Sequence, residues 1–131
     1  MSDPQFLKAT VVIPVSDIYD TTAWYERVLG FQARYIHGKG RPGETEDFAN
    51  YAIMSRDGVE VHFIMDEDGP VWTRSGTGYL YLTVRNVEEV YAGVESQGIV
   101  ITRGLQRENW PAHGFNLNDP SGNEVHIEQP A

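Results

Sequence analysis

The chain of 131 residues contains no cysteine. Disulfide bonds, thiolate metal sites and a cysteine nucleophile are therefore excluded. Basic residues are also scarce, since ten lysines and arginines stand against nineteen aspartates and glutamates, a formal net charge of −9. This balance would repel nucleic-acid phosphates, so no nucleic-acid partner is expected. An acidic surface suits a cationic ligand, although many acidic domains have no such partner.

Long apolar runs are missing too. No stretch approaches the roughly 20 apolar residues that a membrane-spanning helix needs. The first residues, M-S-D-P-Q-F-L-K, lack the basic and then apolar pattern of a secretion signal. A Ser-His-Asp spacing is absent, and G-K-G-R-P-G at 38–43 lacks the flanking strand and helix of a phosphate-binding loop. We expect one domain, residues 1–131, located in the cytoplasm with no membrane partner.

The sequence does contain an internal repeat. Gly-x-Glu-Val-His occurs in D-G-V-E-V-H-F-I at 57–64 and again, 64 residues later, in S-G-N-E-V-H-I-E at 121–128. Each half also opens with an extended segment that runs into an amphipathic helix and then a glycine. Repetition at half the chain length indicates a duplicated module. The predicted modules are residues 8–66 and 78–129.

Hydrophobic periodicity predicts two helices, at 20–29 and 87–97. The expected helix ends are Asp17 or Thr21 as the first cap, Asn86 with Glu89 as the second, and the terminating glycines Gly30 and Gly98. Three strands are predicted after each helix, near 31–37, 48–54 and 59–65, and near 99–103, 113–118 and 123–128. The pattern predicts an α+β fold of two tandem β-α-β-β-β modules that form curved mixed sheets around a cleft.

Alternation along the strands assigns the two faces of each sheet. The faces that the helices must cover are apolar and carry Val11, Ile13 and Val15; Val59, Val61 and Phe63; Leu80, Leu82 and Val84; Val125 and Ile127. The opposite faces are polar and aromatic and carry Thr10, Val12 and Pro14; Glu60, His62 and Ile64; Tyr79, Tyr81 and Thr83; Glu124, His126 and Glu128. Such a face either meets water or lines a cleft. Both halves repeat it, which favours a cleft shared by two sheets.

With two such modules and D-P-S-G-N-E-V-H-I-E at 119–128, the chain resembles the vicinal oxygen chelate superfamily over nearly its whole length. That superfamily includes glyoxalase I, extradiol dioxygenases, fosfomycin-resistance enzymes and bleomycin-resistance proteins. The D-P-x-G-N run before a strand is typical of the superfamily but selects no activity.

Metal-dependent members bind a divalent ion through the first and last strands of each module. The resemblance maps those positions onto Thr10, His62, Tyr79 and His126. Thr is a poor ligand and neutral Tyr is rarely one, while carboxylates two residues along a strand are displaced by about 7 Å. The alternative hypothesis is therefore a metal-dependent lyase, dioxygenase or thiol transferase. It would hold a divalent metal ion on His62, Tyr79 and His126 and polarise a substrate oxygen.

The closer likeness is to the bleomycin-resistance binding proteins. I-P-V-S-D-I-Y-D-T-T-A-W-Y-E-R-V-L-G-F at 13–31 resembles their first strand and helix, and G-F-N-L-N-D-P-S-G-N-E-V-H-I-E at 114–128 resembles their C-terminal run. Those proteins catalyse nothing. They are homodimers that sequester a cationic, planar-tailed glycopeptide in clefts at the subunit interface. The resemblance implies antibiotic resistance by a homodimer that binds a drug-like small molecule, such as a bleomycin-type glycopeptide, with no catalytic residue and no cofactor.

The candidate site combines this resemblance with the polar faces. The cleft aromatics of the family map onto Tyr35, Phe48 and Tyr81, and a cleft Trp maps onto Trp110, one residue further from D-P-x-G-N than in the family. Aromatic rings would stack on the ligand, and carboxylates would attract a cation. The two histidines are expected to be hydrogen-bonded wall residues. The candidate ligand-binding residues are Tyr35, Asp47, Phe48, His62, Tyr79, Tyr81, Trp110, His126 and Glu128.

Overall fold

Two four-stranded mixed sheets, each with one helix, make up the fold. The computed structural model describes residues 3–38, 49–66, 74–106 and 112–130. The first half contains β1 (Val12–Val15), α1 (Ile18–Leu29), β2 (Gln32–His37), β3 (Tyr51–Arg56) and β4 (Val59–Met65). The second half contains β5 (Tyr79–Thr83), α2 (Val87–Ser96), β6 (Ile101–Gln106), β7 (Ala112–Asn118) and β8 (Glu124–Pro130). The α+β prediction with β-α-β-β-β in each half is confirmed.

Each sheet places the first strand of its half at an edge. The strand orders are β1-β4-β3-β2 and β5-β8-β7-β6, and the first strand of each sheet pairs in parallel with the last. The crossover needed for a parallel pair contains the helix of each half, as such pairs require a long connection. Neither described helix is long and apolar enough to cross a membrane.

Helix α1 begins and ends at the residues that its sequence indicates. The Asp17 side chain accepts a hydrogen bond from the backbone N–H of Asp20 at 2.8 Å, which is a standard N-cap and starts the helix two residues before the predicted position. Gly30 ends it in the left-handed conformation, with φ of 71°, and its N–H donates to the carbonyl of Glu26.

Helix α2 begins at the predicted residue, Val87, with Asn86 as its N-cap residue, but the expected capping hydrogen bond is missing. Asn86 makes no side-chain capping hydrogen bond, so the expected capping box with Glu89 is wrong. The side chain of Gln129, on β8, instead accepts a hydrogen bond from the backbone N–H of Val87 at 3.1 Å. A distant residue thus satisfies a donor that the first turn leaves free. Gly98 follows the helix with a φ of 72°, as expected.

The core lies between each helix and its own sheet, and it is built from the apolar strand faces. Most of the predicted inward residues are buried, namely Ile13, Val15, Val61, Phe63, Leu80, Leu82, Val125 and Ile127. Three are not, since Val84 is only partly buried, Val11 is 42% exposed and Val59 is 44% exposed. Val11 and Val59 lie near the start of the parallel β1–β4 pair, where none of the described residues buries them.

The D-P-S-G-N turn joins the two halves. Asp119 is buried and accepts a hydrogen bond from the hydroxyl of Tyr25, on α1 of the first half, at 2.9 Å. The fully buried Asn123 donates to the carbonyl of Pro14 at 2.9 Å and accepts from the N–H of Gly78 at 2.7 Å. These contacts give the superfamily marker a structural role: it fastens one half to the other, away from either polar face.

Candidate functional site

The polar triplet on β8 lies on the side of the second sheet that faces away from α2. Val125 and Ile127 point into the core, while Glu124, His126 and Glu128 point the other way, as strand alternation predicts. We call this side the second face. Its further members, given by register, are Tyr79, Tyr81, Thr83 and Asn116.

The triplet belongs to one continuous hydrogen-bond network across three strands. Asn116 donates to Glu124 at 2.6 Å, and its side-chain oxygen lies 2.7 Å from Nδ1 of His126. Nε2 of His126 lies 3.0 Å from Oε1 of Glu128, and the hydroxyl of Tyr81 donates to the same oxygen. His126 and Glu128 are each only 8% exposed, so this part of the network is buried beneath its surroundings.

Hydrogen-bond partners occupy both ring nitrogens of His126. Because the amide nitrogen of Asn116 donates to Glu124, its oxygen faces Nδ1 of the imidazole. Nε2 faces the carboxylate of Glu128. Both ring nitrogens therefore face hydrogen-bond acceptors, so neither is open to a further ligand. The ring is thus held between the amide of Asn116 and the carboxylate of Glu128.

The pairing with Tyr81 holds Glu128 in its ionised form. The hydroxyl of Tyr81 lowers the pKa of the Glu128 carboxyl, and His126 acts in the same direction. The same hydrogen bond raises the pKa of Tyr81 above its ordinary value, because removing its proton would leave two negative oxygens in contact. At neutral pH Glu128 is therefore a carboxylate and Tyr81 a hydroxyl donor.

Two tyrosine rings lie exposed beside this network. Tyr79 is 53% exposed and Tyr81 is 52% exposed, and alternate positions on β5 place them on the second face. The ring of Tyr81 lies 4.7 Å from the imidazole of His126, at an interplanar angle of 38°. The second face thus combines a buried ionised network with apolar ring area that is available to a ligand.

The first sheet has a corresponding polar side, which we call the first face. The hydroxyl of Tyr51 lies 2.6 Å from Nδ1 of His62, whose Nε2 is buried without a hydrogen-bond partner among the described residues. Glu60 lies 3.6 Å from that Nε2 and pairs with Lys8 at 3.4 Å. Burial, and secondarily Glu60, raise the pKa of the Tyr51 hydroxyl. Lys8 compensates the charge of Glu60, so this face carries little net charge.

A shallow cavity of about 340 Å³ opens on the first face. Tyr35, 53% exposed, lies at this cavity, and Nδ1 of His37 bonds the side chain of Asn50 at 2.9 Å within it. Sequence reasoning missed four residues of the two faces, namely His37, Asn50, Tyr51 and Asn116. The alternation of β2, β3 and β7 was an available signal for all but Asn50, which precedes β3.

The predicted site residues therefore fall into two groups. The first face carries Tyr35 and His62, and the second face carries Tyr79, Tyr81, His126 and Glu128. The two groups lie on separate sheets. Among the described residues, no hydrogen bond or ring contact joins one group to the other. Asp47, Phe48 and Trp110 lie outside the described residues.

The residues suggested as metal ligands do not fit that role within one chain. His62 lies on the first sheet, whereas Tyr79 and His126 lie on the second. Both nitrogens of His126 already face hydrogen-bond partners, and Thr10 precedes β1 in an exposed segment. In residues 3–38, 49–66, 74–106 and 112–130, no three His, Asp or Glu side chains are grouped suitably for a metal ion.

A family model matches residues 9–127, and the chain belongs to that family, the Glyoxalase/Bleomycin resistance protein/Dioxygenase superfamily. The family contains both enzymes and binding proteins, so membership leaves the activity open. No curated protein sequence matches the chain significantly.

Solved structures share the fold across nearly the whole chain. A bleomycin-binding protein in complex with bleomycin is 21% identical with a TM-score of 0.71, covering 96% of this chain and 100% of its own. The bleomycin resistance determinant encoded on transposon Tn5 is 21% identical with a TM-score of 0.71, covering 95% and 98%. TnmS3, an antibiotic-binding protein from Streptomyces sp. CB03234, is 14% identical with a TM-score of 0.73, covering 98% and 100%. At these identities the likeness establishes the fold alone.

Proposed function

We propose that the chain is a binding protein that sequesters a cationic, aromatic drug-like molecule without changing it. The observation that carries this proposal is the composition of the second face. Tyr79 and Tyr81 present exposed rings directly beside the ionised Glu128. Aromatic stacking contributes about 0.5–1.5 kcal/mol per ring pair beyond the area it buries, and it needs no reaction.

The hydrogen bonding of His126 favours binding over catalysis. A general base needs a nitrogen lone pair within reach of the substrate. Both nitrogens of His126 are engaged, with Asn116 and Glu128, and its ring is almost fully buried. The ring instead helps to fix the position of the Glu128 carboxylate. Two solved relatives in fold, a bleomycin-binding and an antibiotic-binding protein, support the same class of function.

We further propose that the working form is a homodimer in which the first face of one copy closes over the second face of the other. Pockets for drug-sized ligands bury 70–90% or more of the ligand surface, and a single open sheet face cannot do so. The strands β1 and β5 end their sheets and are available as edges for such an assembly. The resulting cleft would bring Tyr35 and His62 opposite Tyr81 and Glu128.

Titration calorimetry with a bleomycin-type glycopeptide and with smaller cationic planar compounds tests the proposal. Tryptophan fluorescence followed in parallel, with Trp110→Ala, tests the expected stacking role of that residue. We expect saturable binding that weakens as salt is added, because the attraction to Glu128 is screened. Absence of binding by every compound in this class would contradict the proposal.

Glu128→Gln is the decisive variant, because it removes the charge and keeps the shape. We expect weaker binding and a smaller dependence on salt concentration. Glu95→Gln is the matched control, since Glu95 is exposed on α2 and away from both faces. If the two variants bind equally well, Glu128 has no role in recognition.

A further inference from the structure

A groove of about 810 Å³ opens between the two halves, on the side of the molecule that carries the helices. The end of α1, the β3–β4 turn and the start of α2 form its rim. Pockets for small organic molecules measure about 300–1,000 Å³ and are mostly apolar. The groove has this size, and neither Tyr81 nor Glu128 lines it. Its apolar lining includes Val28, Phe31, Val59, Leu82, Val84 and Val90.

A glycine in the interior of α2 forms part of the groove wall. Gly93 lines the groove, although glycine lowers the stability of a helix interior relative to alanine. A Cβ added at Gly93 would meet no atom within 4 Å, so packing within the chain does not require glycine there. The glycine instead leaves a stretch of helix backbone open, on which an occupant of the groove can lie closely.

The groove also contains a cation without a partner. Arg85 lines it beside the start of α2 and makes no hydrogen bond or ion pair with any described residue. The side chain of the neighbouring Asn86 makes no capping hydrogen bond. Arg56, by contrast, donates to the carbonyl of Leu29 at 2.6 Å, and its Nε lies 3.5 Å from the carboxylate of Asp57. Arg85 is therefore the guanidinium of the groove that is available to a ligand.

We propose that the groove is a second ligand site and that it binds an amphipathic organic anion. The apolar body of the ligand lies against Val59, Val90 and Gly93, and its carboxylate meets Arg85. A guanidinium matches a carboxylate with two parallel hydrogen bonds. This site goes beyond the proposed function, because it takes an anion on the helix side rather than a cation at the polar faces.

Glu89 makes the sign of the ligand charge testable. It lines the groove four positions after Arg85, so it repels an anion in the groove and attracts a cation. Arg85→Gln should weaken the binding of decanoate about tenfold, because it removes a charge-assisted pair. Glu89→Gln should strengthen it. Arg103→Gln is the matched control, since Arg103 is exposed on β6 and does not line the groove, and it should change nothing. The reverse order of Arg85→Gln and Glu89→Gln would overturn the proposal.

Decanoate and decyltrimethylammonium, which share an alkyl chain and differ in charge, are the probes. Each is titrated below its micelle-forming concentration, by calorimetry and by NMR of the backbone amides. We expect saturable binding of decanoate that shifts the amide signals of Val90 and Gly93, and much weaker shifts there with the cation. Decanoate that fails to bind, shifts only the signals around Tyr81 and Glu128, or binds the groove no better than the cation would refute the anion site.

Gly93→Leu tests the groove itself by filling it. We expect decanoate binding to fall at least tenfold while the fold is retained, because the added side chain meets open space and leucine favours helix. Gly104→Leu is the control, since a Cβ on that strand residue also meets nothing within 4 Å and lies away from the groove. Circular dichroism checks the fold of both variants. Undiminished decanoate binding by Gly93→Leu would contradict the proposal, and binding of a bleomycin-type glycopeptide, measured alongside, reports separately on the polar faces.

Discussion

Replacing the buried Asp119 should destabilise the protein far more than replacing an exposed carboxylate. Its Oδ1 accepts from the N–H groups of Ser121 and Asn123, both at 2.9 Å, and its Oδ2 accepts from Tyr25 at 2.9 Å and from the Asn123 side chain at 3.1 Å. Asp119→Ala would leave several of these buried donors unsatisfied, at about 1–3 kcal/mol each. We expect a loss of about 4 kcal/mol, a large part of the roughly 5–15 kcal/mol that stabilises a typical domain.

Tyr25→Phe separates one hydrogen bond from the rest of this cluster. The carboxylate of Asp119 keeps its other donors, so the variant loses only the bond from the hydroxyl, worth about 1.5 kcal/mol. Tyr91→Phe is the control. It keeps its ring contact with Phe115 and removes a hydroxyl that has no hydrogen-bond partner in the described part of the chain. Urea unfolding of each variant measures the free energy of unfolding. If Asp119→Ala costs less than about 1 kcal/mol, the turn does not fasten the halves.

The raised pKa of the Tyr25 hydroxyl predicts that the protein loses stability in alkali. Burial, and then the charge of Asp119, raise the pKa of Tyr25 well above its ordinary value of 10.0. The folded state therefore holds this proton more tightly than the unfolded state does. The stabilisation is complete below pH 10 and is lost as the pH rises toward the folded pKa. Tyr25→Phe should flatten this alkaline decline, and an unchanged decline would assign it to other groups.

Three further outcomes follow from the second face. Gly114→Ala should destabilise the protein by about 1–3 kcal/mol, measured by urea unfolding, because a Cβ there would lie 2.5 Å from the carbonyl of Ile127 and 2.8 Å from the Cβ of Glu128. Tyr81→Phe should raise the pKa of Glu128, because the hydrogen bond from the Tyr81 hydroxyl is the largest cause that lowers it. NMR titration of the carboxyl group measures this pKa in the variant and in the wild type. Metal analysis of the purified protein should find no near-stoichiometric divalent ion, and His126→Ala should not alter the result; a bound metal that the variant loses would instead support the enzyme hypothesis.

Strand alternation was sufficient to predict which side of each sheet the site residues occupy. A period of two depends only on local backbone geometry, so Glu124, His126 and Glu128 could be assigned to one face before any tertiary contact was known. Their burial could not be predicted in this way. It depends on Asn116 and Tyr81, which reach the triplet from neighbouring strands through register that the sequence leaves open.

Tertiary contacts also explain the errors at the ends of elements. Local capping rules located Asn86 correctly as the N-cap residue of α2. They could not predict that the donor at the start of the helix is satisfied by Gln129, more than forty positions away in the chain. Val11 and Val59 have the periodicity of core residues, but whether a core position is covered depends on what packs against it. Among the described residues, nothing packs closely enough against Val11 and Val59 to bury them.

The two halves repeat the same backbone but differ in the charge of their polar sides. His62 is bonded to a neutral tyrosine and Glu60 to a lysine, whereas His126 faces the carboxylate of Glu128 and is linked to that of Glu124 only through Asn116. A cleft made from one side of each kind would be electrically polarised across its width. An elongated ligand with a cation at one position could then enter in only one sense, with its charge toward Glu128. A symmetric dimer would hold two such molecules in antiparallel orientation.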